Sequence, residues 1–195
     1  MRFMRFMRFM RFIALLACAL LAAGAGAAQA GAAAQAGVAT VAAPPAMSKA
    51  DQTLLTSMAQ AQVNEIAAAR QALDMSKNDG VRKFAQTMVD DHGKALDSIK
   101  TLARARNVSL PTEPDAAHKA LAARMQKLRG DAFDKAYIKE AGVNDHSKVH
   151  SMLVKHADKP KDAELKALAA GMKPTVAAHL DAAKALQGGG APATR

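Results

Sequence analysis

From Ser48 to Gln187 the apolar residues return every three or four positions, almost without interruption. That spacing places one apolar stripe on each of a series of helices and leaves nothing that alternates like a strand. The first helix starts at Ser48, whose hydroxyl suits an N-cap, and runs to about Lys77. Leu55, Met58, Ala59, Ile66, Ala69 and Leu73 form its stripe. A turn at Asn78-Asp79-Gly80 opens a second helix that reaches about Arg106, with Val81, Phe84, Ala85, Met88, Val89, Leu96, Ile99 and Leu102 on one side. Asp115 to Leu128 reads as a shorter helix. The third long helix starts at Asp131, with Asp134 as a variant capping-box partner, and presents Phe133, Ile138, Ala141, Val149, Met152 and Leu153 up to about Ala157. Pro160 opens the fourth, striped by Leu165, Leu168, Met172, Val176, Leu180 and Leu186. Within it, Pro174 is expected to kink the helix or to leave backbone groups free.

Composition supports the same architecture. Of 195 residues, 48 are Ala, aromatics make up only 4%, and Trp is absent. Small residues and strong helix formers favour closely packed helices over a sandwich or barrel. The length suits a single domain. Short turns between long helices predict an all-α protein, an antiparallel four-helix bundle with one extra short helix.

The N-terminus reads as an export signal. Arg2, Arg5, Arg8 and Arg11 precede an apolar run from Ile13 to Ala23, which is too short to span a bilayer. A signal peptide over 1–30 is expected, cleaved after Ala30 or Ala36, since both follow a small-x-small pattern. The true start could be any of Met1, Met4, Met7 or Met10. Cys18, the only cysteine, does not suit a lipoprotein anchor, because the apolar run before it is short and continues past it. Residues 31–47 read as an Ala/Gly/Pro-rich flexible tether, 48–187 as the helical domain, and 188–195 as a disordered tail. The expected location is periplasmic or otherwise exported.

Removing the four signal Arg lowers the excess of 27 basic over 17 acidic residues from +10 to +6. These charges are interspersed, so weak binding to anionic surfaces is expected and nucleic acid is not. Few aromatics are available for base stacking. The partner is unknown.

Chemistry concentrates in the histidines. His92 lies four residues from both Met88 and Leu96, His146 is flanked by Val143 and Val149, and His179 follows Val176 by three. All three therefore face inward. On the first helix Glu65, seven residues after Met58, is the one carboxylate in the body of the helix. One inward polar group per long helix suits a metal site in a bundle core, with Glu65, His92, His146 and His179 as candidate ligands. Such donors fit one Zn, Fe, Mn or Cu ion better than Ca or Mg. Asp91 and Asp145 precede His92 and His146 in a repeated Asp-His-x-Lys. With His150, they are candidates for orienting the ligands rather than joining them. His118 and His156 read as solvated surface. A lone inward His is more often a satisfied core group than a ligand, and four such groups at different heights would form no site.

No phosphate-binding glycine loop or nucleophile elbow is present, and His146 and His150 lack the Glu of a zinc-protease motif. A non-enzymatic role is expected. Met58, Met88, Met152 and Met172 fit core packing rather than a copper relay.

Four segments carry a family resemblance: Asn64-Glu65, VRKFAQTMVDDHGKAL (81–96), FDKAYIKEAGVNDHSKVH (133–150) and Lys173-Pro174 with His179-Leu180. In these the chain resembles the exported bacterial helical proteins of domain of unknown function 4142. The resemblance covers about residues 50–187. It implies a ferritin-like fold and a cell-envelope location, and it implies no activity. One departure concerns the wider ferritin-like class, whose di-iron members carry a carboxylate three residues before each His. Here Val89, Val143 and Val176 occupy those positions. A di-iron centre is not expected, and any metal would be a single ion in a His-rich shell. Two readings follow: an envelope protein of unknown activity, with a possible role in stress tolerance, and a mononuclear metal-binding or redox protein.

Overall fold

The computed structural model describes residues 46–189. The residues read as a signal peptide, most of those read as a tether and the end of those read as a tail lie outside them. The described part is all-helical: α1 (Lys49–Met75), α2 (Asp79–Ala105), α3 (Ala116–Met125), α4 (Gly130–Tyr137), α5 (His146–His156) and α6 (Ala163–Gln187). Between α4 and α5 the chain does not leave the helix. It passes through a π-helical segment, Ile138–Asp145.

The caps explain most boundaries. Ser48 accepts from the Asp51 amide at the start of α1, Asn78 from Val81 at the start of α2, and Asp115 from His118 at the start of α3. The fourth long helix begins at Ala163 under an Asp162 cap rather than at Pro160. Arg106 fastens that cap, its Nε 2.6 Å from Asp162 Oδ2. At α4 the expected capping box is absent: the N-cap is Arg129 without a side-chain bond. Asp134 is instead buried, with Oδ1 lacking a partner among the described residues. The α6 helix runs unbroken across Pro174, at the cost of one donor to the Ala170 carbonyl.

The apolar core divides in two. One cluster holds Leu55, Met58, Leu96, Ile99, Leu153, Leu165 and Val176. The other holds Ala69, Phe84, Met88, Phe133, Tyr137, Ala141 and Ala183. Following each long segment from one cluster to the other crosses a buried polar residue: Gln62 and Glu65 on α1, His92 on α2, His146 at the head of α5, and His179 on α6. The polar residues thus form one layer between two apolar ends. Side chains held at one height can meet.

Candidate metal centre

The three imidazoles meet in that layer. Ring centroids lie 5.3 Å apart for His92 and His146, 5.2 Å for His92 and His179, and 5.4 Å for His146 and His179. The triangle is nearly equilateral. Each ring offers one nitrogen to a group whose members all lie within 4.8 Å of one another. Glu65 is not in that group. Its Oε1 lies 3.6 Å from His146 Nδ1, on the side of the ring away from His92. His150 is half-buried one turn further on, also outside the group.

The outer nitrogen of each ring is held from behind. His92 Nδ1 lies 2.7 Å from Gln62 Oε1, and the Gln62 amide is oriented because its Nε2 donates to the Met58 carbonyl. His146 Nδ1 lies 2.9 Å from the Ala141 carbonyl. His179 Nε2 lies 3.1 Å from Asp91 Oδ2. All three partners accept, so each outer nitrogen carries the proton. On His92 and His146 the inner nitrogen, Nε2, is therefore a bare lone pair. These two Nε2 atoms face each other at 3.3 Å. Shifting a proton to either one would set its Nδ1 lone pair against a carbonyl oxygen.

A further proton is a poor solution. Burial holds the His146 imidazole at about 4, against an ordinary value of 6.5, with the Ala141 bond offsetting only part of the shift. Burial also pushes His92 well below its ordinary value, helped by the two neighbouring imidazoles. Near neutral pH both rings are neutral. A metal ion fits the gap: two nitrogens about 2.0–2.1 Å from one ion at the tetrahedral angle lie about 3.3–3.4 Å apart.

Local sequence explains how His146 arrives. An uninterrupted α-helix from Phe133 would carry residue 144 or 145, not 146, on the inner face. The π-helical segment absorbs one extra residue and restores inward orientation to His146 and Leu153, which are 1% and 0% exposed. Gly142 lets this segment approach α6, since a Cβ there would sit 2.9 Å from Ala183 Cβ. An aromatic wall backs it. Phe84 packs edge-on to Tyr137 at 6.2 Å and lies 6.4 Å from the His146 ring.

Glu65 sits behind His146 in a setting that favours its neutral form. Burial pushes its carboxyl well above the usual range, and the Asp145 charge adds to this. Its Oε2 and the Tyr137 hydroxyl are buried without partners among the described residues. Asp145 does not reach the three rings. Its Oδ2 lies 3.2 Å from His118 Nε2, and its Oδ1 accepts from Lys148 at 2.9 Å. His118 is thus no free surface residue, for Nδ1 also lies 2.8 Å from Asp115 Oδ1. Burial would raise the Asp115 carboxyl, but bonds from His118 and Asn64 outweigh it and hold it at about 2.

Gln62, the Ala141 carbonyl and His118 escaped the sequence reading. Gln62 lies four residues after Met58 on the same face, so its spacing could have shown it. Nothing comparable marks the π-helical segment or His118.

Fold and site together define an all-helical protein with a buried cluster of three histidines. The chain belongs to the family described as domain of unknown function (DUF4142), whose model matches residues 36–186. No curated protein matches it. Two solved structures share the fold. One is a DUF305 fragment from Deinococcus radiodurans, at 14% identity and TM-score 0.66, covering 74% of this chain and 99% of that one. The other is described as CopM in the Cu(I)-bound form, at 18% identity and TM-score 0.59, covering 71% and 96%. Among the described residues no helix is long and apolar enough to cross a membrane.

Proposed function

We propose that this is an exported cell-envelope protein that holds a single transition-metal ion on His92, His146 and His179, in a binding rather than a catalytic role. The observation that carries the reading is the pair of Nε2 lone pairs facing each other at 3.3 Å in the buried core. Imidazole donors suit Cu, Zn, Fe and Ni. Charge narrows the choice. Imidazoles bring no charge of their own as ligands, and the carboxylate that bonds a ring of the cluster is Asp91. The cost of burying charge grows steeply with its size, so Cu(I) is favoured over a divalent ion. The fold shared with a protein described in a Cu(I)-bound form is consistent with that choice. Glu65, placed behind His146, acts as its buried neighbour rather than as a ligand.

The long helices are read as an antiparallel four-helix bundle of ferritin-like type. Export rests on the basic start and short apolar run of residues 1–30. The test is elemental analysis of the purified mature protein after anaerobic loading with Cu(I), and separately with Zn(II). One ion per chain is expected, lost in the His92→Ala, His146→Ala double variant. Wild-type protein that leaves dialysis without stoichiometric metal, or a double variant that retains it, overturns the reading.

A further inference from the structure

A cleft of about 740 Å³ opens where the start of α2, α4, the π-helical segment and the end of α6 come together. That size suits a small molecule. Val81 and Ile138, both buried, and half-buried Leu186 supply its apolar lining. Asp134 lies beside them, only 9% exposed, and its Oδ1 is sealed from water with no partner among the described residues. The helix does not use it as a cap, since the N-cap of α4 is Arg129 and the acid of its first turn is Asp131. An unpaired buried carboxylate is costly and calls for a partner. What remains accessible of Asp134 lines the cleft, so a cation seated there meets a charge that both oxygens share.

We propose that this cleft binds a small zwitterion, an ammonium and a carboxylate on one apolar body, as in an apolar amino acid. The rim sets the second charge. Lys135 and Lys139 line the cleft and are exposed. Lys139 lies 3.8 Å from Glu140, whereas Lys135 has no ion pair among the described residues. A plain cation would gain Asp134 but pass two lysines, and a plain anion would gain the lysines but face Asp134. A ligand with both charges satisfies both, ammonium inward and acid outward, with its apolar body on Val81, Ile138 and Leu186. The site is separate from the metal centre: Val81 precedes His92 by eleven residues on one helix, about 17 Å by the helical rise.

The test titrates isotope-labelled, metal-free mature protein with L-phenylalanine, phenethylamine and 3-phenylpropanoate, which share one aromatic body. L-Phenylalanine should give saturable ring-current shifts on the methyls of Val81, Ile138 and Leu186, and none on Leu55 or Leu153 in the other apolar cluster. Phenethylamine, which forgoes only an exposed ion pair, should bind about two- to fivefold more weakly. 3-Phenylpropanoate, which leaves Asp134 unpaired, should bind at least about tenfold more weakly. Asp134→Asn should weaken L-phenylalanine by a similar factor, and Asp131→Asn, at the exposed rim, should not. Because Asp134→Asn removes a buried charge without a partner, the ligand-free variant should unfold at higher urea than wild type, which separates lost binding from lost fold. If L-phenylalanine moves none of the three methyls, if Asp134→Asn binds it as tightly as wild type, or if that variant is the less stable, there is no such site. Phenethylamine binding as tightly as L-phenylalanine overturns the zwitterion assignment.

Discussion

Asp91-His92-Gly93-Lys94 on α2 and Asp145-His146-Ser147-Lys148, at the junction of the π-helical segment and α5, share one Asp-His-x-Lys pattern. Both histidines end in the same cluster, their Nε2 atoms 3.3 Å apart. Everything around them differs. His92 comes from an uninterrupted α-helix and is steadied by a side chain of α1, whereas His146 is steadied by a carbonyl five residues earlier in its own chain. Asp91 turns to His179 inside the layer, and Asp145 turns outward to His118 and Lys148. A residue next to an inward histidine points about 100° away. Its role is therefore set by the helix it happens to face, not by the motif that contains it. For Asp91 on α2 that neighbour is α6; for Asp145, at the end of the π-helical segment, it is α3.

Deleting a residue breaks the comparison most severely. Lys139 is exposed and lies within the π-helical segment, so its removal allows α4 and α5 to join as a regular α-helix. The two halves then rotate by about 100° relative to each other. His146 cannot stay in the layer while Phe133 and Tyr137 stay in the core. Elemental analysis should find no bound Cu(I), with helical circular dichroism retained. The loss of affinity should exceed the ~10–100-fold typical of changes behind a ligand. An equivalent deletion on α2 has no π-helical turn to absorb it and should unfold the helix packing. Full metal stoichiometry after the Lys139 deletion would show that the π-helical segment does not aim His146.

Acid should separate the histidines from Glu65 in the metal-free protein. The folded-state value of His146 lies below its ordinary one, so the unfolded chain binds the extra proton first. Its contribution is fully present above about 6.5 and is lost as pH falls toward about 4. That shift corresponds to about 3 kcal/mol. His92 acts in the same direction through its own burial. Glu65, whose value is raised by burial, works the other way, costing stability as pH climbs above 4.5. Urea unfolding at pH 7 and pH 4 should show acid destabilisation in wild type, a shallower slope in His146→Gln, and a gain at pH 7 in Glu65→Gln. A Glu65→Gln variant less stable than wild type at pH 7 would mean that the carboxylate is ionised and compensated.

The helices were readable because each stripe repeats over several turns and Ser48 and Asn78 give unambiguous caps. His92, His146 and His179 were readable as inward residues for the same reason. Their convergence was only partly so. Gln62 and His92 sit at similar distances from the turn between α1 and α2, which places them at one height, but α3 separates that hairpin from the rest and erases such counting. The π-helical segment has no side-chain signature, so Asp134 looked like a cap partner and the third stripe looked regular. His118 looked solvated because its two partners, Asp115 and Asp145, lie on opposite sides of a loop-bearing segment. Glu65 was correctly expected inside. Which nitrogen of His146 it would face depends on the packing of α1 against the π-helical segment, which sequence spacing does not encode.

The smallest test compares the two aspartates directly. Asp91→Ala removes the acceptor that holds His179 Nε2, so Cu(I) affinity measured by chelator competition should fall about 10-fold or somewhat more. Asp145→Ala should leave affinity unchanged, because neither of its oxygens bonds a ring of the cluster. Its cost falls on the docking of α3 instead. The bond to Lys148 is exposed and contributes little. The bond to His118 is one of several that hold this helix down, alongside Gln71 to the Ala122 carbonyl and Asn64 to Asp115. Loss of one should lower stability by about 1 kcal/mol and speed hydrogen exchange of the α3 amides above all others. His118→Ala should reproduce that exchange pattern, since it removes the same contact from the other side. If Asp145→Ala weakened Cu(I) binding as much as Asp91→Ala, the two segments would share one role after all, and α3 would belong to the metal centre rather than to its cover.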